Sequence, residues 1–403
     1  MIIKKSFIKQ YCCIALLAAV IGATSCSTDV VGDASSDNLE GPLAEVEAID
    51  ISNDLITRAA GMDLESFSLS VYNSKNGRLL ADKIQYQITD AGVTSNGAWR
   101  MAAAEMKAIG VSPTMDIVEN VTLTASDSYF DYMVPTTDQV MLKIGSDMSF
   151  TKQSTNNKLA MKFVNALAMF SIKARNELKV EDSEGTEYDV TIYVKSVTLH
   201  NLAAKGRFTY TGNYKGNWET IDDVYYNYTQ ELPEKVELGK TNFIDVMDSI
   251  FVFLPQSPEN NAWNPEAQDD DSEEYAAANG IAKANADHKV YIELRCSMTA
   301  DFGDGPVYLW GSENTYTPIY FPYIKKYCPK AWNTINKQGV YNLKILKGEA
   351  LDADGRPIKP QAQENGESFE NAVFISVAPT DDNDEDYVDD WNDPEDNTVE
   401  FSL

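Results

Sequence analysis

The stretch Leu159–Ala174, which reads LAMKFVNALAMFSIKA, is a long apolar-rich run in a chain of 403 residues. It follows a polar segment, residues 151–158, that interrupts a series of shorter apolar runs. After an amino-terminal leader is set aside, the rest of the chain is too long for one ordinary β-sandwich and suits two domains. We therefore place a domain boundary at the polar segment, with one domain over residues 59–153 and a second over residues 154–403.

Short alternating runs lie on both sides of this stretch. Upstream, Phe67, Leu69 and Val71 alternate with serines, and downstream Val190, Ile192 and Val194 repeat the same two-residue interval. Such runs, separated by turn-forming residues, are typical of β-strands in sandwiches. The exception is residues 101–109, which predict one short helix. The sequence therefore predicts an all-β protein.

The charge of the chain excludes one class of partner. The formal net charge is −29, of which residues 1–58 contribute −4 (four Lys and Arg against eight Asp and Glu), so about −25 remains on the rest. No basic patch of the kind that nucleic acid requires is visible. The acidic balance is typical of a soluble protein at an exposed cell surface.

The residues needed for catalysis do not form a recognisable set. The chain has only two histidines, His200 and His288, and no nucleophile-elbow pattern. We predict that His200 lies at the surface or caps an element. The acidic stretches 269–271 and 381–396 lack the spacing of a calcium loop and are predicted to be solvated loops. We therefore predict no enzyme activity, no metal and no cofactor.

The first sixty residues contain two processing signals. A positive, then apolar, segment over residues 1–25 is typical of a secretion signal, and small residues before Cys26 indicate cleavage there with lipid on the thiol. A lone Arg58 followed by Ala59 indicates a second cut by a trypsin-like protease. Residues 26–58 would then be a leader, either a disordered tether or a segment that contains a strand near Val46 and Ala48.

Cysteine use leaves two alternatives open. Of five cysteines, two lie in the signal and Cys26 carries lipid, so only Cys296 and Cys328 remain for the folded part. They form either a disulfide with each other or two separate buried thiols, since spacing does not decide between these.

The last residues of the sequence show a clean two-residue period. Val399, Phe401 and Leu403 fall on one face of an extended strand, behind the acidic stretch 381–396. We predict that this segment pairs with a sheet, because unpaired terminal segments generally fray.

Four of these stretches resemble the fimbrillins, the pilin subunits of type V pili in Gram-negative bacteria. They are the leader from Cys26 to Arg58, the run Leu159–Ala174, the pattern over residues 197–210, and the ending with its alternating Val399, Phe401 and Leu403. Fimbrillins usually carry histidine where Asn165 stands here. The resemblance covers scattered parts of most of the chain.

The resemblance implies a fold and an assembly route. The fold would be two transthyretin-like (Ig-like) β-sandwich domains with a removable leader. The precursor would be an outer-membrane lipoprotein acylated, for example with palmitate, on Cys26. An arginine-specific protease would cut between Arg58 and Ala59 and remove a leader strand. A donor strand carrying Val399, Phe401 and Leu403, from another copy or a related pilin, would fill the vacated groove and build a head-to-tail surface fimbrium that supports adhesion.

Two other functions stay open from the sequence. One is a tip or accessory adhesin of the same family, and the other is a lipid-anchored surface protein that binds glycans. Either could use exposed tryptophans for sugar stacking, and Trp263, Trp310 and Trp332 lie in polar surroundings. Packing in a core or an interface is the more frequent role of tryptophan.

Overall fold

A computed structural model describes residues 42–50, 64–181, 184–249, 251–256, 261–263, 273–322, 338–346, 352–356 and 376–379. Its strands, in chain order, are β1 (Glu45–Asp50), β2 (Ser66–Asn73), β3 (Arg78–Thr89), β4 (Gly92–Ser95), β5 (Met106–Ser112), β6 (Glu119–Leu123), β7 (Ser128–Met133), β8 (Lys143–Phe150), β9 (Lys158–Asn165), β10 (Ala168–Asn176), β11 (Lys179–Glu181), β12 (Glu187–Ala203), β13 (Lys205–Gly212), β14 (Lys215–Thr220), β15 (Tyr225–Glu237), β16 (Ile244–Asp245), β17 (Phe251–Phe253), β18 (Tyr291–Asp301), β19 (Pro306–Trp310), β20 (Thr317–Pro322), β21 (Gln338–Leu346) and β22 (Ser376–Pro379).

The helices are few and short. They are α1 (Lys152–Thr155), α2 (Glu273–Asn279) and α3 (Ile281–Ala286), together with a 3₁₀ turn over Met115–Ile117. Among the described residues, no helix is long and apolar enough to cross a membrane. Because strands dominate the described residues and the helices are few and short, the prediction of an all-β protein is confirmed.

The described strands form four sheets. A seven-stranded sheet has the order β1-β9-β8-β5-β2-β3-β4, and a four-stranded sheet has the order β14-β13-β7-β6. In a six-stranded sheet, β11, β12, β18 and β19 follow one another while β15 pairs with β12 and β20 with β18. In a five-stranded sheet, β16, β10, β21 and β22 follow one another and β17 also pairs with β10. All four contribute to one continuous main core, so the sheets pack face to face as in β-sandwiches.

A smaller core lies on the other face of the seven-stranded sheet. It consists of Phe67, Leu69, Val71, Ala81, Tyr86, Trp99, Met101, Met106, Ala108, Phe150, Leu159, Met161 and Phe163. The alternation predicted for β2 explains why Phe67, Leu69 and Val71 point into it together. The intervening Ser68 is also buried, because its hydroxyl accepts a hydrogen bond from the backbone of Met115 (2.9 Å). The seven-stranded sheet is thus covered on both faces.

The predicted helix over residues 101–109 is wrong. Residues 106–112 form β5, which lies between β2 and β8 at the centre of the seven-stranded sheet. Met106 and Ala108 face the smaller core, whereas Ile109 and Val111 face the main core. A strand buried on both faces has a continuous apolar run, and its periodicity does not distinguish it from a short buried helix.

Strand pairing crosses the position at which the sequence analysis divides the chain. The run Leu159–Ala174 folds as two strands, β9 and β10, that belong to different sheets. Strand β9 pairs with β8, and β13 pairs with β7, so both pairs join residues from the two sides of position 154. The described residues from 42 onward cluster as one compact unit. These pairings place no division of the sheets at residue 154, and the domain limits 59–153 and 154–403 stay a prediction.

One ion pair ties β7 to β13. The guanidinium of Arg207 donates to both carboxylate oxygens of the buried Asp131, at 2.6 and 2.9 Å, and lies over the ring of Tyr129. Asn120 donates a further hydrogen bond of 2.7 Å to the same carboxylate. The hydrogen bond from Arg207 lowers the pKa of Asp131 despite its burial. This carboxylate therefore stabilises the fold in its charged form.

We expect the Asp131→Asn variant to have a lower free energy of unfolding than wild type at pH 7. The folded pKa of Asp131 lies below its ordinary value of about 3.9, so its contribution is present above that value and is lost as the pH falls through the folded pKa. The difference between variant and wild type should therefore shrink below about pH 4. Urea unfolding across pH measures this. Asp147→Asn is the control, and the opposite pH dependence of stability is expected for it, because burial raises the pKa of Asp147. A gap that does not change with pH would contradict the expectation.

The ring of Phe163 occupies space that two glycines leave open. A Cβ on Gly110 would lie 2.8 Å from Cζ of Phe163, and one on Gly145 would lie 3.1 Å from the same ring. We expect Gly110→Ala to lower the free energy of unfolding by about 1–3 kcal/mol, because a packed aromatic ring must move.

Gly212→Ala is the matched control for this substitution. A Cβ at Gly212 meets nothing within 4 Å, so its effect on chemical denaturation should be within about 0.5 kcal/mol. Equal destabilisation by the two substitutions would contradict the role assigned to the glycines.

Candidate functional site

Strand β1 forms one edge of the seven-stranded sheet. It pairs in parallel with β9 over six residues, from Glu45 opposite Lys158 to Asp50 opposite Phe163. The residues just before it pair on another side, since the amide of Ala44 donates to the carbonyl of Trp99 (3.0 Å) and that of Met101 donates to the carbonyl of Pro42 (3.3 Å). The sequence left two alternatives for residues 26–58, a disordered tether or a segment that contains a strand. Residues 45–50 form a strand.

The side chains of β1 divide between two faces. Ala44, Val46 and Ala48 pack against the smaller core, whereas Glu45 and Glu47 lie at the alternate positions. Glu47 makes an ion pair of 2.8 Å with Lys158, and both side chains are about half exposed. An exposed ion pair of this kind contributes little to stability. The strand is therefore held by backbone hydrogen bonds and by three small apolar side chains.

The surface under β1 is large and apolar. Leu159, Met161 and Phe163 of β9 are fully buried at the positions opposite Val46, Ala48 and Asp50. Without β1, the backbone groups on one side of β9 would have no ladder partner and part of the smaller core would meet solvent. We call this surface the β9 slot. It consists of the side of β9 that pairs with β1 and of the side chains of Leu159, Met161 and Phe163. Chemically it can bind an extended strand with alternating apolar side chains.

Most residues that the sequence analysis marked for processing lie outside the described residues. This applies to Cys26, Arg58, Ala59 and Cys328, and also to the alternating Val399, Phe401 and Leu403. Cys296 is fully buried in β18, and burial raises the pKa of its thiol. Whether Cys296 pairs with Cys328 stays a prediction.

The β9 slot itself was not predicted from residue patterns. Alternation of Leu159, Met161 and Phe163 was the available signal, but it does not reveal which strand covers them. Pairing between β1 and β9 joins residues more than a hundred positions apart. The fimbrillin resemblance implied a leader strand without assigning its partner.

His200 is not a surface or capping residue. It lies in β12, where its Nε2 is 2.9 Å from the carboxylate of Glu293 and its ring stacks on Tyr291 at 4.2 Å. Burial alone raises the pKa of Glu293, but the hydrogen bonds and charges of His200 and Arg295 outweigh it and lower that pKa. The prediction is wrong because Tyr291 and Glu293 of the neighbouring strand β18 contact this side chain.

The described tryptophans of the polar segments pack inside the protein. Trp263 is buried with Tyr291 and Tyr320, and its indole nitrogen donates to the carbonyl of Asn279 (2.8 Å). Trp310 packs partly buried against the main core and donates to the carbonyl of Thr317 (3.2 Å). Trp263 is therefore buried and Trp310 partly buried, and Trp332 lies outside the described residues. Across the described ranges, no group of three or more His, Cys, Asp or Glu residues is placed to hold a metal ion.

Comparison with known proteins places the fold. No family model matches the sequence, and no curated protein matches it. Among solved structures, a fimbrial protein from Bacteroides vulgatus aligns with a TM-score of 0.51 at 12% identity, over 84% of this chain and 98% of that one. A candidate cell adhesion protein from Parabacteroides distasonis aligns with a TM-score of 0.44 at 9% identity, over 84% and 98% of the two chains. A fimbrial assembly protein from the same species aligns with a TM-score of 0.33 at 10% identity, over 84% and 100%.

The first of these alignments carries the comparison. At 12% identity it establishes similarity of fold and not of activity. The β-sandwich architecture that the fimbrillin resemblance implied is confirmed, since the described sheets pack in that way and the neighbour is a fimbrial protein. The chain therefore has an all-β sandwich fold similar to that of a bacterial fimbrial protein, with strand β1 covering the edge of its largest sheet.

Proposed function

We propose that this chain is a structural subunit of surface fimbriae, a pilin that polymerises by strand exchange after its leader is removed at Arg58. The observation that carries the proposal is the position of β1. It completes the seven-stranded sheet, yet it lies wholly upstream of the proposed cut between Arg58 and Ala59.

The connection between β1 and the remaining fold makes such a cut effective. Strand β1 ends at Asp50, and the chain is next described at Leu64. Arg58 falls in this connection. A cut there turns β1 from a covalently attached strand into a separate segment. That segment is then held by its backbone hydrogen bonds to β9, Trp99 and Met101, by its small apolar contacts and by one exposed ion pair.

The side chains of the proposed donor are larger than those of the leader, and this difference favours replacement of the leader by the donor. The leader presents Ala44, Val46 and Ala48 to the smaller core, whereas the proposed donor segment carries Val399, Phe401 and Leu403. Each additional buried methylene contributes about 0.8 kcal/mol, and a fully buried Phe or Leu contributes about 1.5–3 kcal/mol. A donor strand in the β9 slot would therefore bury more apolar surface than the leader does, while restoring the same ladder of backbone hydrogen bonds.

The route to the cell surface follows from the same leader. In this proposal, lipid on Cys26 anchors the precursor in the outer membrane with the slot occupied. Cleavage by an arginine-specific protease then releases the chain from its own anchor and opens the slot. Each subunit accepts a strand at one end and donates one at the other, so contacts are head-to-tail, do not close, and produce a fibre.

We expect Arg58→Ala to block assembly at the precursor stage. The variant should be exported and remain as a membrane-bound monomer, because β1 stays attached. Wild-type chains sheared from cells should begin at Ala59. Amino-terminal sequencing and immunoblots of polymer ladders measure both outcomes. Arg78→Ala is a matched control at an exposed arginine of β3 and should leave polymers unchanged. Normal polymers from Arg58→Ala would rule out the leader mechanism.

We expect Phe401→Asp to abolish polymers while Ser402→Asp leaves most of them. In an extended strand these neighbouring residues lie on opposite faces, so only the first substitution places a charge against the apolar slot. Both variants should be exported and cut alike, which removes processing as a cause. Polymer ladders from the two variants give the comparison, and equal ladders would exclude residues 399–403 as the donor segment.

A further inference from the structure

The backbone groups of β1 alternate between two sides of the strand. Pairing with β9 is parallel, and the amide of Glu45 donates to the carbonyl of Asn157 (3.1 Å). Alternate residues of a strand bond to the same neighbour, so the odd-numbered residues of β1 face β9 with their backbone groups, whereas the even-numbered residues face away. Strand β1 is the end strand of its sheet, so no described strand pairs with these even-numbered residues.

Two even-numbered residues just upstream of β1 do have partners on that far side. The amide of Ala44 donates to the carbonyl of Trp99 (3.0 Å), and the carbonyl of Pro42 accepts from the amide of Met101 (3.3 Å). Together with the bond to Asn157, these bonds hold the chain from both sides. We call the carbonyls of Trp99 and Asn157 and the amide of Met101 the backbone clamp.

Both sides of the backbone clamp are positioned by contacts that do not involve β1. Trp99 is buried, and its indole nitrogen donates to the hydroxyl of Tyr86 (3.2 Å), whose ring stacks on Phe67 at 4.9 Å. Asn157 follows the capping box of α1, and its left-handed φ of 67° leads the chain into β9. The smaller core therefore fixes one side of the clamp, and a capped turn fixes the other.

We propose that the backbone clamp anchors the strand that covers β9 and fixes its register. The strand then opens first at the end that pairs with Phe163 and is released last at the clamp. Such a strand must offer two adjacent N–H groups, at the positions of Ala44 and Glu45, so proline fits neither position. The importance of the clamp for assembly rests on the proposed function, whereas the clamp itself is tested on the uncut chain.

Pro42 restricts how the leader can slip along β9. Proline has no N–H, and at its present position only its carbonyl is used. A slip of two residues that moved Pro42 to the position of Ala44 would leave the carbonyl of the buried Trp99 without its donor. The apolar alternation does not oppose this slip, because the same side-chain face stays inward. The clamp therefore supplies the register that alternation leaves open.

The test is hydrogen exchange with residue resolution on the full uncut chain. Ala44→Pro removes the donor to Trp99, whereas Ala48→Pro removes an N–H that faces away from β9 at a sheet edge, where proline is tolerated. The amides of Leu159 and Phe163, which face β1, should exchange at least about tenfold faster in Ala44→Pro. In the matched control Ala48→Pro, their exchange should change less than about threefold.

The wild-type chain provides a second measurement that needs no substitution. Because the strand opens from the end that pairs with Phe163, the protection factor of the Phe163 amide should be at least about tenfold lower than that of the Leu159 amide. Exchange in β18 shows whether the rest of the fold is intact in each variant.

Equal effects of the two prolines would overturn the proposal, because strand geometry and not the lost donor would then explain them. If Ala44→Pro also loses protection in β18, the wild-type comparison decides. Protection of the Phe163 amide equal to or above that of the Leu159 amide would overturn the proposal in any case. Since no cut or polymer is involved, each of these outcomes is independent of whether strand exchange occurs.

Discussion

The parallel ladder between β1 and β9 is the interaction on which the seven-stranded sheet depends. A sheet edge presents unpaired amide and carbonyl groups, and here it also borders the buried side chains of Leu159, Met161 and Phe163. Covering that edge satisfies the backbone and seals the smaller core together. The edge requires a strand, but its backbone groups can pair with any extended strand whose side chains fit. The fold therefore specifies a strand at this place without specifying which chain segment supplies it.

Strand β1 fills this place with modest binding energy. Its core-facing side chains are Ala44, Val46 and Ala48, and its visible ion pair with Lys158 is exposed. Neither feature is strong on its own. The underlying β9 is held far more firmly, because Phe163 packs against Gly110 and Gly145 of the two next strands. A rigid receiving surface and a weakly packed occupant are the properties that a replaceable strand requires.

The sequence alone predicts the fold class well, but it predicts the candidate site only in part. Strands with one polar face, such as the Val190–Val194 part of β12, follow from alternation. Strand β5 does not, because both of its faces are buried and its apolar run has no period of its own. The environment of His200 was mispredicted for a related reason, since the residues that contact it, Tyr291 and Glu293, come from β18, about ninety positions along the chain. The pairing of β1 with β9 is a long-range contact, and no local pattern encodes the partner of an edge strand.

In the proposed strand exchange, the covalent connection of β1 to the rest of the chain would let a weakly packed strand exclude a more strongly packed one. A strand attached through a short connection has an effective concentration in the millimolar range at its own slot. A donor strand from another subunit must compete at its actual concentration, and it must displace a ladder that is already formed. After the proposed cut at Arg58, β1 would lose this advantage, and once dissociated it would be diluted into the surroundings. The larger side chains of the proposed donor would then decide the equilibrium. Such a cut would need no conformational change in the receiving sheet, because it would act on the concentration of the covering strand and not on β9.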